Sequence, residues 1–119
     1  METKEAIKNI LVNFPNKIKE KEEAILTLET KKEEAILRNK LIENQVMGEV
    51  LNEELDGKPK YSNKEKRETE CSKRLSNSVE HRDNKKIINS IINLIATKKI
   101  ELSYLKRTNQ NANTLATFE

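Results

Sequence analysis

Of the two glycines and two prolines in this chain of 119 residues, one of each falls in the four-residue stretch Asp56-Gly57-Lys58-Pro59. A chain so poor in turn-forming residues can reverse direction only a few times, and this is the strongest place to do it. Glycine accepts the left-handed conformation that ends a helix, and proline nearby prevents the helix from resuming. The stretch therefore reads as a hinge between two long helical segments.

The apolar spacing on either side agrees. Ala6, Ile7, Ile10 and Leu11 predict a first short helix over about 3–13, which Phe14-Pro15 should interrupt because proline lacks an amide hydrogen. From about 16 to 55 the pattern is continuous. It contains an internal repeat: Lys21-Glu22-Glu23-Ala24-Ile25-Leu26 returns as Lys32-Glu33-Glu34-Ala35-Ile36-Leu37, eleven residues later. That spacing predicts a nearly straight or slightly right-handed coil rather than a pure heptad supercoil. At 100° per residue, Ile18, Ala24, Ile25, Leu28, Ala35, Ile36, Ile42, Val46, Met47 and Val50 form one apolar stripe. Leu26, Leu37, Leu41, Leu51 and Leu55 lie well off it, where a single partner helix cannot reach them.

After the hinge, Ser62-Asn63-Lys64-Glu65 fits a capping box and predicts a short helix over about 63–75. Ser76-Asn77-Ser78 interrupts it, and Asn77 offers a cap for a last long helix over about 78–116. That helix carries Ile87, Ile88, Ile91, Leu94, Ile95, Leu102, Leu105, Ala112 and Ala116 on one side. Beyond Arg107 it becomes polar and rich in asparagine, so fraying is expected there.

These elements predict a single all-α domain over residues 1–119: an antiparallel long-helix hairpin, or coiled coil, with a short N-terminal helix and a short helix at the hinge. Leu26, Leu37, Leu41, Leu51 and Leu55 are the expected oligomer interface, completing a bundle through a homodimer.

The residues offer little for catalysis. Cys71 and His81 are the only cysteine and histidine, ten positions apart on different predicted helices, with no third group to orient them. His81 is expected to face solvent beside Arg82 and Asp83. Two such residues fall short of a structural zinc site, and pairs such as Glu22-Glu23 and Glu33-Glu34 lack the Glu-x-x-His partners of a di-metal bundle. With Gly48 and Gly57 alone, no glycine-rich phosphate loop can form. The expectation is a protein that is not an enzyme and takes no metal or cofactor. No apolar run approaches the roughly 20 residues of a membrane span, and the N-terminus lacks an apolar run of signal type, so a cytoplasmic location is expected.

The charge is uneven. Residues 1–57 carry nine basic and thirteen acidic side chains, and residues 58–86 carry ten and five. Lys58, Lys60, Lys64, Lys66, Arg67, Lys73 and Arg74 make a basic block with Tyr61 inside it, suited to contact phosphates while the ring stacks on an unpaired base. The bland alternative is that Glu65, Glu68 and Glu70 pair with these cations and leave an ordinary solvated surface.

The segment from Asp56 to Arg67, with its glycine, its lysines and an Asn63-x-x-x-Arg67 helix start, resembles small coiled-coil proteins of temperate phages and prophages of low-GC Gram-positive bacteria. Glu101-Leu102-Ser103-Tyr104-Leu105-Lys106-Arg107 resembles the same proteins' C-terminal helix, although the polar tail beyond departs from them. The genes of those proteins often lie near recombination and single-strand DNA-binding functions, and the resemblance implies such an origin and a cytoplasmic setting more than an activity. Three roles are then expected to compete: binding of DNA or a DNA–protein complex through the basic hinge end, inhibition of a host defence protein such as a CRISPR nuclease, and a structural scaffold.

Overall fold

The structure, a computed structural model, describes residues 2–117, the side chain of Glu2 excepted. The order is α1 (Glu2–Asn52), β1 (Glu54–Leu55), β2 (Lys58–Pro59), α2 (Lys64–Ser76) and α3 (Val79–Thr117). The fold is all-α, with one two-residue hairpin between α1 and α2. The chain divides into two compact units: one takes the chain up to Thr30 and from Ile91 onward, the other is Lys31–Ser90.

In the first unit α1 and α3 run antiparallel, since Lys21 pairs with Glu101 whereas the later Glu29 pairs with the earlier Lys99 at 3.7 Å. Lys21 holds the Glu101 carboxyl below its ordinary range, chiefly through their hydrogen bond. Ile25, Ile91 and Ile95 form the buried centre, with Leu28 and Leu102 packed against them.

Contrary to the sequence expectation, α1 continues through Pro15 with no separate N-terminal helix. Proline in a helix interior removes one hydrogen bond, at about 3 kcal/mol. Here Ile7, Ile10, Leu11, Phe14 and Ile18 continue the half-buried face across it, so burial on both sides keeps the helix intact. The tail beyond Arg107 is also helical, to Thr117. Ala112 is buried there, and Thr114 donates to the Gln110 carbonyl at 3.1 Å, which ties polar residues back onto the helix.

The second unit is antiparallel too, but its centre is polar. Asn84 Nδ2 donates to the Ala35 carbonyl at 2.6 Å and to Asn39 Oδ1 at 2.9 Å, and Asn39 Nδ2 donates to the His81 carbonyl at 3.3 Å. Alanine at 35 leaves room for the asparagine. His81 does not face solvent as expected. Its Nε2 lies 3.0 Å from Glu43 Oε1, and the side chain is mostly covered. Nearer the hinge Val50 and Cys71 are buried, with Cys71 Sγ 3.8 Å from Met47 Sδ.

The eleven-residue repeat is not used equivalently. Ile25 is buried whereas Ile36 is 40% exposed. Eleven residues at 3.6 per turn overshoot three full turns by ~20°, which carries Ile36 toward the rim and Ala35 inward.

Gly48 sits in the interior of α1, where glycine is less favourable than alanine by about 1 kcal/mol. Apart from the neighbouring residues and backbone of α1 itself, no atom of the fold lies within 4 Å of where its Cβ would be. Packing inside this chain gives no reason for a glycine there.

Candidate nucleic-acid interface

The hinge end belongs wholly to the second unit. Asp56 and Gly57 have φ of 56° and 77°, as the two central residues of a type I′ turn require, and Asp-Gly is a favoured pair for it. From sequence alone Gly57 reads as the end of a helix. Instead α1 stops at Asn52, and the turn closes a hairpin in which Leu55 faces Lys58 and Glu54 faces Pro59. The Lys60 amide donates to the Glu53 carbonyl at 2.9 Å and continues the ladder by one step.

That ladder places the Glu53 carboxylate at the centre of a clasp. It accepts from Arg74, and Lys60 Nζ lies 3.5 Å from its other oxygen. Arg74 also donates to Glu70 Oε1 at 2.9 Å from one turn further along α2. Tyr61 is half-buried beside both cations, its ring centroid 5.5 Å from Lys60 Nζ and 6.0 Å from Arg74 Cζ. Arg67 Nη1 donates to the Tyr61 carbonyl at 3.5 Å.

The α2 helix is capped by Asn63, whose Oδ1 accepts from the Lys66 amide at 2.8 Å, and not by Ser62 as the capping-box reading had it. An asparagine accepts this bond as well as a serine, so the cap moves one residue along. Asn77 likewise ends α2 rather than capping α3, a role taken by Ser78, whose Oγ accepts from the His81 amide at 3.2 Å.

The eight residues singled out from sequence thus divide into two groups. Lys60, Tyr61, Arg67 and Arg74 are engaged in the clasp. Lys58, Lys64, Lys66 and Lys73 are exposed around it; Lys64 has only a loose 3.8 Å contact with Glu68, and Lys58 and Lys66 form no ion pair among the described residues. Glu53 was missed, although its signal was present: it lies seven residues before Lys60, symmetrically across the Asp-Gly turn.

Arg74 holds both Glu53 and Glu70 below the ordinary carboxylate range, in each case mainly by its hydrogen bond. Such a depressed carboxyl stabilises the fold above its ordinary value of 4.5, and that contribution is lost as pH falls through the depressed value. Acidification below that range should therefore release the clasp. In a Tyr104→Phe chain, which leaves Tyr61 as the sole tyrosine, ring resonances should shift in that acid window, and Arg74→Gln should abolish the shift. A Tyr61 signal unchanged down to the acid limit would refute it.

Leu26, Leu37, Leu41, Leu51 and Leu55 are each between half and two-thirds exposed. Among the described residues no group of three or more His, Cys, Asp or Glu is placed to hold a metal ion, and no helix is long and apolar enough to cross a membrane. No family model matches the chain, and neither a curated protein nor a solved structure matches it.

Proposed function

We propose that this chain is a non-catalytic accessory protein that binds DNA, or a DNA–protein complex, through its hinge end. One observation carries the reading: the clasp uses Lys60, Arg67, Arg74 and Tyr61 to fix the hinge end, and leaves Lys58, Lys64, Lys66 and Lys73 exposed around it. Lysines on a held scaffold release condensed counterions on meeting phosphates, with little ordering of the backbone at the moment of binding. The phage resemblance of the segment from Asp56 to Arg67 agrees with such a partner.

Four lysine contacts to duplex DNA give a slope of log affinity against log salt near −3.6, from about −0.9 per phosphate. Changing Lys58, Lys64, Lys66 and Lys73 together to glutamate should abolish binding while leaving the clasp and the helix content intact. Arg67 and Arg74 are excluded from that variant because they hold the hinge. Undiminished binding by the variant, or binding that does not weaken with salt, would sink the proposal.

A second reading, inhibition of a host defence protein, is favoured by Ile100 and Tyr104, which lie one turn apart on α3 and are 73% and 66% exposed. A host protein lost by Ile100→Asp/Tyr104→Asp but kept by the lysine variant would support it over DNA binding.

A further inference from the structure

The exposed side of α1 within the second unit follows a heptad pattern from Leu37 to Leu51, and Leu55 in β1 continues the spacing in sequence. Leu37, Leu41, Asn44, Gly48, Leu51 and Leu55 are spaced four, three, four, three and four residues apart, the alternation of coiled-coil seam positions. All four leucines are half exposed or more. The order of spacings is also the same from either end, centred on residue 46. Turned about a two-fold axis at that centre, the row superimposes on itself.

We propose that this face binds a second copy of the chain, antiparallel, about a two-fold axis beside residue 46. In that arrangement Leu41 meets the partner's Leu51, and Leu37 lies toward the partner's Leu55, where α1 has given way to β1. Asn44 meets the partner's Gly48, so the largest polar residue in the row faces the one position without a side chain. This accounts for Gly48, whose Cβ would touch nothing in its own chain beyond the adjoining turns of α1. The empty space there is what the partner's asparagine fills. A single polar residue in an otherwise apolar seam also fixes register, because sliding by a heptad would bury its amide against leucine.

The flanking residues favour the same partner. In an antiparallel pair the positions beside the seam meet their own kind across the axis. That sets Arg38 opposite the partner's Asn52, Gln45 opposite the partner's Gln45 and Met47 opposite the partner's Met47, while Lys40 lies toward the partner's Glu54, in β1 just beyond the end of α1. No like charges meet, and Lys40 approaches an acidic end of the partner's α1 twice by symmetry. A parallel pair would instead set Leu37 on the partner's Leu37 and Gly48 on the partner's Gly48, leaving a gap at each glycine.

Sedimentation equilibrium over a concentration series, with the lysine surface untouched, tests this separately from DNA binding. The native chain should show a monomer–dimer equilibrium, and Leu41→Asp/Leu51→Asp should weaken it by about 100-fold or more while retaining helix content. Direction is tested in a Cys71→Ser background with a short bis-maleimide. Gln45→Cys, beside the axis, should cross-link to its own copy, whereas Arg38→Cys should not unless mixed with Asn52→Cys. A native chain that stays monomeric at millimolar concentration leaves the face to another protein and overturns the proposal. A dimer indifferent to the aspartates, or Arg38→Cys linking to itself, overturns it equally.

Discussion

An Ile95→Ala chain should lose about 3 kcal/mol of unfolding free energy, read as a lower urea midpoint at unchanged slope. Ile95 is 7% exposed and packs with Ile25 and Ile91 in the only apolar cluster of buried residues described for the first unit. Truncation removes three methyl or methylene carbons and leaves a cavity beside Ile25 and Ile91 between α1 and α3. Ile100 provides the control, being the same residue on the same helix but 73% exposed. Ile100→Ala should fall within about 0.5 kcal/mol of the native chain. Equal losses from the two substitutions would show that the cluster is not the centre of packing.

The second large effect concerns the asparagines. Asn84→Ala should cost about 2 kcal/mol, because it strands Asn39 Oδ1 and leaves the space beside the Ala35 carbonyl empty. The pair behaves differently when both members go. In Asn39→Leu/Asn84→Leu no buried polar group is left without its partner, so stability should return to the native level or exceed it. What that variant should lose is a single register, since leucine packs acceptably against more than one neighbouring layer and an asparagine hydrogen bond does not. The readout is amide NMR: one set of sharp signals for the native chain and broadened or duplicated signals for the double variant. A double variant less stable than Asn84→Ala would show that the polar layer stabilises the fold outright.

The helices were readable from the sequence because apolar period and helix period coincide along most of the chain. Buried Ile25, Ala35 and Val50 all belong to the stripe read from spacing, as do Ile91, Ile95 and Ala112 on α3. The differences have local causes. The hydrogen bond that Pro15 removes is visible in the sequence, whereas its offset by the apolar face on both sides depends on burial. Helix propensity argues for fraying in the tail, but it is a weak quantity when Ala112 can be buried. At the hinge the same Asp-Gly pair signals either a helix end or a hairpin turn, and only the cross-strand partners Glu53 and Lys60 decide between them. Asn39 and Asn84 were not legible at all. Their value depends on facing each other across 45 positions, which no local pattern encodes.

The bonds from the first 53 residues to the later helices also differ in how much chain they enclose. Arg74 reaches Glu53 over 21 residues, His81 reaches Glu43 over 38 and Asn84 reaches Asn39 over 45, whereas Lys21 and Glu101 are 80 apart. Loop-closure entropy rises with the length enclosed, so the clasp is the least demanding contact to form first, and each one formed shortens the loop left for the next. Closure in order of enclosed length, the clasp first, is the expected sequence of folding. Interactions made early appear in the refolding rate and those made late in the unfolding rate. The same two substitutions report on this order, with Asn84→Ala slowing refolding and Ile95→Ala chiefly hastening unfolding.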